Sequence, residues 1–283
     1  MTFLVLNAAG AQGGAIARRL LAEGLPVRAF TRGGRPPQGA RPFTGDLADG
    51  AAVKAAFDGV THASVMLPMV YDPETVAGYV RNVRDAALAA GVRRLVFNTG
   101  NRLPARDSGL PAFETRRLAG DELRAAGLPV VELRPPIYLD NLAAPWVAAP
   151  LAAEGVLAYP LPADLPVAWL SHADLAEITL AALTLDGLEG RILDVGAAEA
   201  VTGADLAAAI GARYEAQDPD AFETPLATLA GPATAAAVAA TYRWAAVDRA
   251  LLAAAPAALD LLSVRPATPT AWLTRRHEPA GRA

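Results

Sequence analysis

A glycine-rich turn close to the amino terminus carries the strongest chemical signal in the sequence. Residues 7-14, NAAGAQGG, follow an apolar run and lead into a helical pattern. Gly10 lets a backbone approach phosphates closely, Gly13 lets a helix pack on a strand, and a helix amino terminus carries partial positive charge. The turn predicts a dinucleotide-binding site, the alternative being a tight turn that binds nothing. The predicted cofactor contacts are Asn7, Gly10, Ala11, Gln12 and Gly13.

The next two predicted strand ends indicate which dinucleotide is bound. The second apolar run ends in Arg32, without an Asp or Glu to bind the ribose hydroxyls of NAD. Arg32, together with Arg35, is expected to pair with a 2′-phosphate, which favours NADP(H) over NAD(H); otherwise Arg32 is a solvated loop residue. Asp46 and Leu47 are expected to border the adenine, although Asp46 could equally be the N-cap of a helix over 48-57.

Two later loops are candidates for the nicotinamide and substrate end of the site. Thr99 closes the fifth predicted strand, where such sheets bind ligands, and is a candidate catalytic contact to the nicotinamide or a substrate carbonyl. The alternative is a turn residue with a local hydrogen bond. Leu67 and Pro68 are expected to border the cofactor. Met69 and Tyr71 are expected to form an apolar substrate wall, although core packing explains Met69 equally well.

A parallel sheet is needed to bring these residues to one edge. Residues 1-135 alternate short apolar runs with amphipathic stretches, and a glycine follows each of the four predicted helices, where a left-handed C-cap needs it. We expect an α/β fold: a doubly wound parallel sheet (Rossmann fold) with a smaller, mainly α C-terminal substrate lobe. The predicted strands are 2-7, 27-31, 41-43, 62-67, 93-98 and 129-134, and the predicted helices are 13-23, 48-57, 73-90 and 113-126.

After residue 135 the regular alternation of apolar and amphipathic segments ends, and frequent prolines separate short segments. We expect a dinucleotide-binding domain over 1-150 and a substrate lobe over 151-283, with a strand near 191-195 that could rejoin the main sheet. The pattern further predicts helices over 172-185 and 202-210, an alanine-rich helix-prone stretch over 226-255 and a short helix near Trp272.

Composition excludes several classes of function. The chain has 283 residues, 53% hydrophobic and 19% charged, so it can bury a large core, and its apolar runs are too short for a membrane span. Zero cysteines and three histidines exclude thiol chemistry and make a metal site improbable. A net charge of −4 without a basic block gives no footprint for nucleic acid. We expect a cytoplasmic protein with a small-molecule partner; homodimer formation is left open.

Six motifs between residues 1 and 185 resemble a known family. They are NAAGAQGGAIARRL, TR, GDLAD, NVRDAALAAGVRRLVFNTG, ELRAAGLPVVELRPPIYLDNL and HADLAEITLAAL. Together they resemble the NmrA-like branch of atypical short-chain dehydrogenases, which includes isoflavone-reductase-like enzymes, NADPH-dependent quinone reductases and regulatory proteins. The sequence departs from the family at Asn7, where the fingerprint has its first glycine. Asparagine tolerates the left-handed region better than other side chains, so the turn can survive.

The catalytic pair of conventional short-chain dehydrogenases is absent. Those enzymes use a tyrosine with a lysine four residues later, and the single lysine here, Lys54, follows no tyrosine at that spacing. The resemblance places the family lysine at Arg116 and puts Phe113 beside the tyrosine position, at the substrate pocket. Arg116 could bind a ribose hydroxyl or a substrate oxygen; otherwise it lies with Arg117 on a solvated helix face.

The resemblance also implies roles for the segment after the sixth predicted strand. Pro135 is expected beside the cofactor and Asn141 along the substrate pocket. Tyr138 is a candidate proton donor. Trp146 is expected to line the same pocket or to fill the interface between the lobes.

Two functions are consistent with these residues. The first is an NADPH-dependent oxidoreductase that passes hydride to a small apolar acceptor such as a quinone or an enone. A quinone product can take its protons from water, so the loss of the tyrosine-lysine pair is not fatal. The second is a non-catalytic NADP(H)-binding redox sensor, which the missing acid-base pair supports.

Overall fold

The computed structural model, which describes residues 1–277, contains a seven-stranded sheet and a separate two-stranded sheet. The strands are β1 (Phe3–Leu6), β2 (Val27–Thr31), β3 (Arg41–Thr44), β4 (His62–Met66), β5 (Arg94–Asn98), β6 (Val130–Arg134), β7 (Val156–Tyr159), β8 (Ile192–Asp194) and β9 (Arg213–Ala216). The order in the large sheet is β3-β2-β1-β4-β5-β6-β8, and every neighbouring pair is parallel. The predicted strand near 191-195 therefore joins the main sheet.

Helices follow most strands, as right-handed parallel connections require. The helices are α1 (Ala11–Ala22), α2 (Gly50–Phe57), α3 (Pro73–Ala90), α4 (Pro111–Ala125), α5 (Pro145–Glu154), α6 (His172–Thr184), α7 (Gly203–Ala209), α8 (Pro219–Ala230), α9 (Pro232–Val247), α10 (Pro256–Leu262) and α11 (Pro269–His277). The strands and helices predicted before residue 135 all form, with ends displaced by at most two residues.

Both faces of the sheet are covered, so its central strands are apolar throughout. Side chains alternate between the faces of a strand, and in β1 all four are buried. Leu4 and Leu6 belong to a core with side chains of α2, α3 and α4. On the other face, α1 packs against α6, and these helices also contact β1, β2, β4 and β5. The predicted doubly wound α/β fold is confirmed.

Local capping sets where α2 begins and corrects one expectation. Asp49 is the N-cap, and its carboxylate accepts from the backbone N–H groups of Ala51 and Ala52. Asp46 instead accepts from the N–H of Ala48 at 2.8 Å, which closes a turn before the helix. The alternative that Asp46 caps a helix starting at 48 is therefore wrong, because the acceptor next to the first helical turn is three residues further on.

The chain forms two compact units that are discontinuous in sequence. The first, called here the sheet unit, contains residues 1–135, 172–194 and 260–264. The second unit contains 136–171, 195–259 and the described residues from 265 onward; it holds the parallel pair β7 and β9 and several helices. A linear division at residue 150 does not describe this interleaving. The substrate-binding role of the second unit stays a prediction.

No helix within residues 1–277 is both long and apolar enough to cross a membrane.

Candidate functional site

The order in which strands are added to the sheet reverses between β1 and β4. The chain places β2 and β3 on one side of β1 and then β4, β5 and β6 on the other side. Ligands of open α/β sheets bind outside the carboxyl ends of the strands at such a point. Here Asn7 follows β1, and its Nδ2 donates to the Met66 carbonyl oxygen at the end of β4, at 2.8 Å. Asn7 has a φ of 55°, so it adopts the left-handed turn that a glycine would otherwise supply.

The glycine-rich turn leaves the amino terminus of α1 open. Gly10 is the N-cap of this helix, and no side chain within residues 1–277 caps its first turn. Gly10 and Ala11 are exposed. A β-carbon at Gly13 would stand 2.9 Å from the Leu6 carbonyl oxygen and closer still to the carbonyl of Asn7, so the helix lies directly on the strand end. A pyrophosphate fits this uncapped helix end, since its oxygens would accept from the open amides.

Asn7 gives a first prediction. We expect Asn7→Ala to destabilise the protein by about 2 kcal/mol, because alanine in the left-handed region costs about 1–2 kcal/mol and the bond to Met66 is lost. Asn7→Gly loses the same bond and keeps the conformation, so it should cost about 1 kcal/mol less. Urea denaturation of the two variants measures the difference. Equal losses would show that the positive φ is not what asparagine supports.

The predicted adenosine end lies beyond β2 and β3. Arg32 and Arg35 are both exposed, a position open to a phosphate and equally to solvent. Asp46 is half-buried and is engaged with the amide of Ala48. The Leu47 side chain packs in the core, and its carbonyl oxygen accepts from Asn82 Nδ2 at 2.8 Å. Of these four residues, the two arginines are the exposed cationic side chains that a phosphate could contact.

At the end of β5 the hydroxyl of Thr99 is already engaged. Its Oγ1 lies 2.6 Å from the Asn101 carbonyl oxygen and 3.1 Å from that of Leu133. A hydroxyl has one proton, which these two carbonyls share, so Thr99 can offer a ligand only its lone pairs. The local hydrogen bond considered as the alternative is present. Its catalytic role stays a prediction.

The Asn98 side chain joins β5 to α1, a contact that the sequence pattern did not predict. Asn98 Nδ2 lies 3.3 Å from Oε1 of Gln12 in the first turn of α1. Asn98 Oδ1 accepts from the N–H of Gly100 at 2.8 Å. The pair holds the glycine-rich turn against the carboxyl end of β5, where Gln12 was predicted to contact the cofactor. A buried amide at the end of an otherwise apolar strand was the available signal.

Arg116 lies on the buried face of α4 and not on a solvated one. It is 4% exposed, and its guanidinium donates to the carbonyl oxygens of Pro68 at 2.6 Å and Val70 at 3.1 Å. The same guanidinium stacks on the ring of Tyr71, 4.9 Å from the ring centre. The alternative of two solvated arginines is therefore wrong for Arg116, which fixes the loop between β4 and α3.

Burial shifts the pKa of both partners in this stack. Desolvation lowers the pKa of the Arg116 guanidinium, and a negative charge on Tyr71 would act in the opposite direction. Desolvation raises the pKa of the Tyr71 phenol, which the Arg116 charge opposes. The Tyr71 phenol is therefore protonated at neutral pH, and the Arg116 charge would stabilise its phenolate form.

The remaining predicted residues of the sheet unit divide by exposure. Phe113 and Leu67 are buried in the core, at 1% and 6% exposure. Met69 is 53% exposed, so the alternative that core packing explains it is wrong. Pro135 is buried directly after β6. The carboxyl edge thus combines the glycine-rich turn, the loop after β4 and the polar end of β5.

Three predicted pocket residues belong to the second unit. Asn141 Nδ2 donates to the hydroxyl of Tyr159 at 3.2 Å, and that hydroxyl lies 2.7 Å from the hydroxyl of Tyr242. Trp146 packs edge-on against Phe222, with ring centres 6.2 Å apart. Asn141 and Trp146 are thereby engaged in the interior of this unit.

Tyr138, the third of these residues, and a separate cavity also belong to the second unit. Tyr138 is 5% exposed and pairs through its backbone with Leu170. A cavity of about 440 Å³ in this unit is lined by Leu142, Leu151, Trp272 and Arg276 among others, and by none of the predicted pocket residues. The substrate roles of Tyr138, Asn141 and Trp146 stay predictions.

Comparison with known proteins identifies relatives over most of the chain. The model of the NmrA-like family matches residues 1–217. A (4-alkanoyl-5-oxo-2,5-dihydrofuran-3-yl)methyl phosphate reductase from Streptomyces griseus subsp. griseus is 34% identical over 239 residues, which is 79% of each chain. An NAD(P)H azoreductase from Xenophilus azovorans is 27% identical over 214 residues, covering 74% of this chain and 72% of the relative.

A solved structure shares the fold over nearly the whole length. It is a triphenylmethane reductase from Citrobacter sp., complexed with NADP(H), with a TM-score of 0.79. The match covers 98% of this chain and 100% of the other at 18% identity. At that identity the likeness establishes the fold alone.

Proposed function

This chain belongs to the NmrA-like family, and on that premise we propose that it is an NADPH-dependent reductase. It passes hydride to a small apolar acceptor such as a quinone or an enone. The relative from Streptomyces griseus subsp. griseus supports the enone class, since the 5-oxo-2,5-dihydrofuran in its substrate's name has a ring double bond conjugated to a carbonyl. The azoreductase supports a nicotinamide donor.

One observation carries the proposal: the uncapped amino terminus of α1 opens beside the switch point that Asn7 bridges. Open amides and a helix dipole bind a diphosphate, and at the carboxyl edge the glycine-rich turn places such a helix end directly after β1. Bound there, a nicotinamide cofactor supplies hydride. The chain's own residues bind and orient: Asn98 and Gln12 hold the turn, and Arg116 holds the neighbouring loop.

The test is a titration of the purified protein with NADPH and with NADH, followed by turnover with a panel of quinones, enones and unsaturated lactones. We expect tighter binding of NADPH and loss of its absorbance with at least one acceptor class. Binding without turnover on any acceptor would transfer the assignment to the redox sensor. Failure to bind either nucleotide would refute both functions.

Arg32 gives a prediction on cofactor preference. A charge-assisted hydrogen bond contributes about 1.5–3 kcal/mol, so Arg32→Ala should raise the Kd for NADPH about 10–100-fold and leave the Kd for NADH nearly unchanged. Arg93→Ala is the matched control, because it removes the same charge from an exposed position. Arg93 directly precedes β5 and therefore lies at the amino ends of the strands, away from the carboxyl edge. Calorimetric titration reads both constants. Equal losses for the two nucleotides would contradict recognition of the 2′-phosphate by Arg32.

A further inference from the structure

Tyr71 presents a phenol at the carboxyl edge of the sheet unit. It lies in the loop between β4 and α3, five residues beyond the strand end that Asn7 contacts, and it is half-buried. Within residues 1–277 its hydroxyl has no hydrogen-bond partner, whereas its ring stacks on the Arg116 guanidinium at 4.9 Å. The ring is held and the hydroxyl is left for a ligand.

The loop that carries Tyr71 is anchored at both sides of its tip. Arg116 donates to the carbonyl oxygens of Pro68 and Val70 from a buried position on α4. Burying a guanidinium costs free energy that only well-placed acceptors offset, so these contacts fix the backbone on which Tyr71 stands. The phenol is therefore preorganised, as a group that meets a reacting substrate needs to be.

Three other tyrosine hydroxyls within residues 1–277 are engaged by protein groups; that of Tyr79 has no hydrogen-bond partner there either, but its ring packs in the core on α3. The hydroxyls of Tyr159 and Tyr242 bond to each other at 2.7 Å. The hydroxyl of Tyr214 donates to the carbonyl oxygen of Leu161 at 2.9 Å. Tyr71 differs from these three in having a cation at its ring and no acceptor at its hydroxyl.

We propose that Tyr71 is a catalytic residue that donates a proton to the acceptor oxygen when hydride is transferred, in place of the missing tyrosine-lysine pair. The inference rests on the proposed reductase function. In the step, the acceptor gains a hydride and is reduced while NADPH is oxidised. The Tyr71 O–H bond breaks, an O–H bond forms on the acceptor, and water then returns a proton to the phenolate beside Arg116.

The charges at the site suit this role. Burial raises the pKa of Tyr71, which keeps the phenol protonated in the neutral range and by itself makes it a weaker acid. The Arg116 cation opposes that shift and stabilises the phenolate that the transfer leaves. Arginine itself stays protonated and serves as a fixed charge.

The test compares acceptors that differ in their need for a proton. A quinone or an enone needs hydride and a proton, whereas a cationic triphenylmethane dye is neutralised by hydride alone. Tyr71→Phe keeps the ring on Arg116 and removes only the hydroxyl; it should lower kcat about 100-fold with the quinone or enone and leave the dye rate unchanged. Tyr79→Phe, whose ring is buried in the core on α3, is the matched control and should change neither rate.

A binding measurement without cofactor decides the same contact independently of turnover. Tyr71→Phe should raise the Kd of a saturated ketone analogue about three- to tenfold, as the loss of one hydrogen bond does. Without NADPH there is no hydride donor, so the ketone is not consumed during the titration. Ketone affinity equal to that of the unmodified protein would overturn the proposal, as would equal loss of both acceptor activities. If the unmodified protein reduces nothing yet Tyr71→Phe weakens ketone binding, the reductase function fails and the assignment of the Tyr71 contact survives.

Discussion

Gly13→Ala is expected to weaken NADPH binding at least about 100-fold. A β-carbon at this position would stand 2.9 Å from the Leu6 carbonyl oxygen and 2.7 Å from the Asn7 carbonyl carbon. Both are backbone atoms of β1 and its turn, which cannot rotate away, so α1 must move off the strand. Overpacking of this kind costs about 1–3 kcal/mol, and displacing a positioning element by about 1 Å can cost 100-fold in function.

Gly14→Ala is the matched control for this substitution. Its β-carbon would first meet the end of the Arg18 side chain at 3.3 Å, a flexible group that can move. Since alanine favours the helix over glycine by about 0.5–1 kcal/mol, we expect unchanged or slightly higher stability and nearly unchanged NADPH affinity. Calorimetric titration and urea denaturation of the pair distinguish the two sites. Equal NADPH affinity in both variants would contradict the close packing at Gly13.

The parts of the fold that depend on local pattern were predictable. Before residue 135, apolar runs bounded by turn residues located the strands, and a glycine one or two residues after each helix marked its end. Asn7 could be assigned a left-handed turn because that preference is local to one residue, and its φ is 55°. The order of the strands in the sheet was not predicted, because no short segment encodes it.

Contacts between distant segments were not predictable from spacing. Arg116 was weighed as a ligand or as a solvated side chain, whereas its partners are carbonyl oxygens more than forty residues away. Thr99 was chosen for its position at a strand end, and only the fold shows that the Asn101 and Leu133 carbonyls share its proton. A polar residue at a sheet edge has the same sequence signature whether it serves a ligand or the backbone.

The discontinuous division into two units also depends on contacts between distant segments, and it was not predicted. The proline-rich change after residue 135 marks the point where the chain leaves the sheet unit. A strand near 191-195 was expected to be able to rejoin the main sheet, as β8 does by pairing with β6, but nothing in the local pattern shows that α6 returns with it. A strand of three residues has little periodicity of its own, and its place is set by the partner strand.

Glu132 in the centre of β6 is a buried charge whose role the sequence pattern did not predict. It is fully buried, with one carboxylate oxygen bonded to Arg124 and the other 2.6 Å from Nε of Arg134. Gly120 on α4 leaves the space, since a β-carbon there would collide with the carboxylate. The carboxylate therefore neutralises two guanidinium groups of which neither is fully exposed.

Glu132→Ala is expected to lower the free energy of unfolding by about 3–5 kcal/mol, because removing the buried carboxylate leaves Arg134 without its counter-charge, while Arg124 keeps only its exposed partner Asp121. Folded proteins are stable by about 5–15 kcal/mol, so the loss should appear as a large drop in the urea midpoint. Glu215→Ala is the control: its pair with Arg213 is exposed on both sides, and exposed pairs contribute little because water screens them. A midpoint for Glu132→Ala close to that of Glu215→Ala would mean that the two arginines find water instead, and that the carboxylate does not hold α4 on β6.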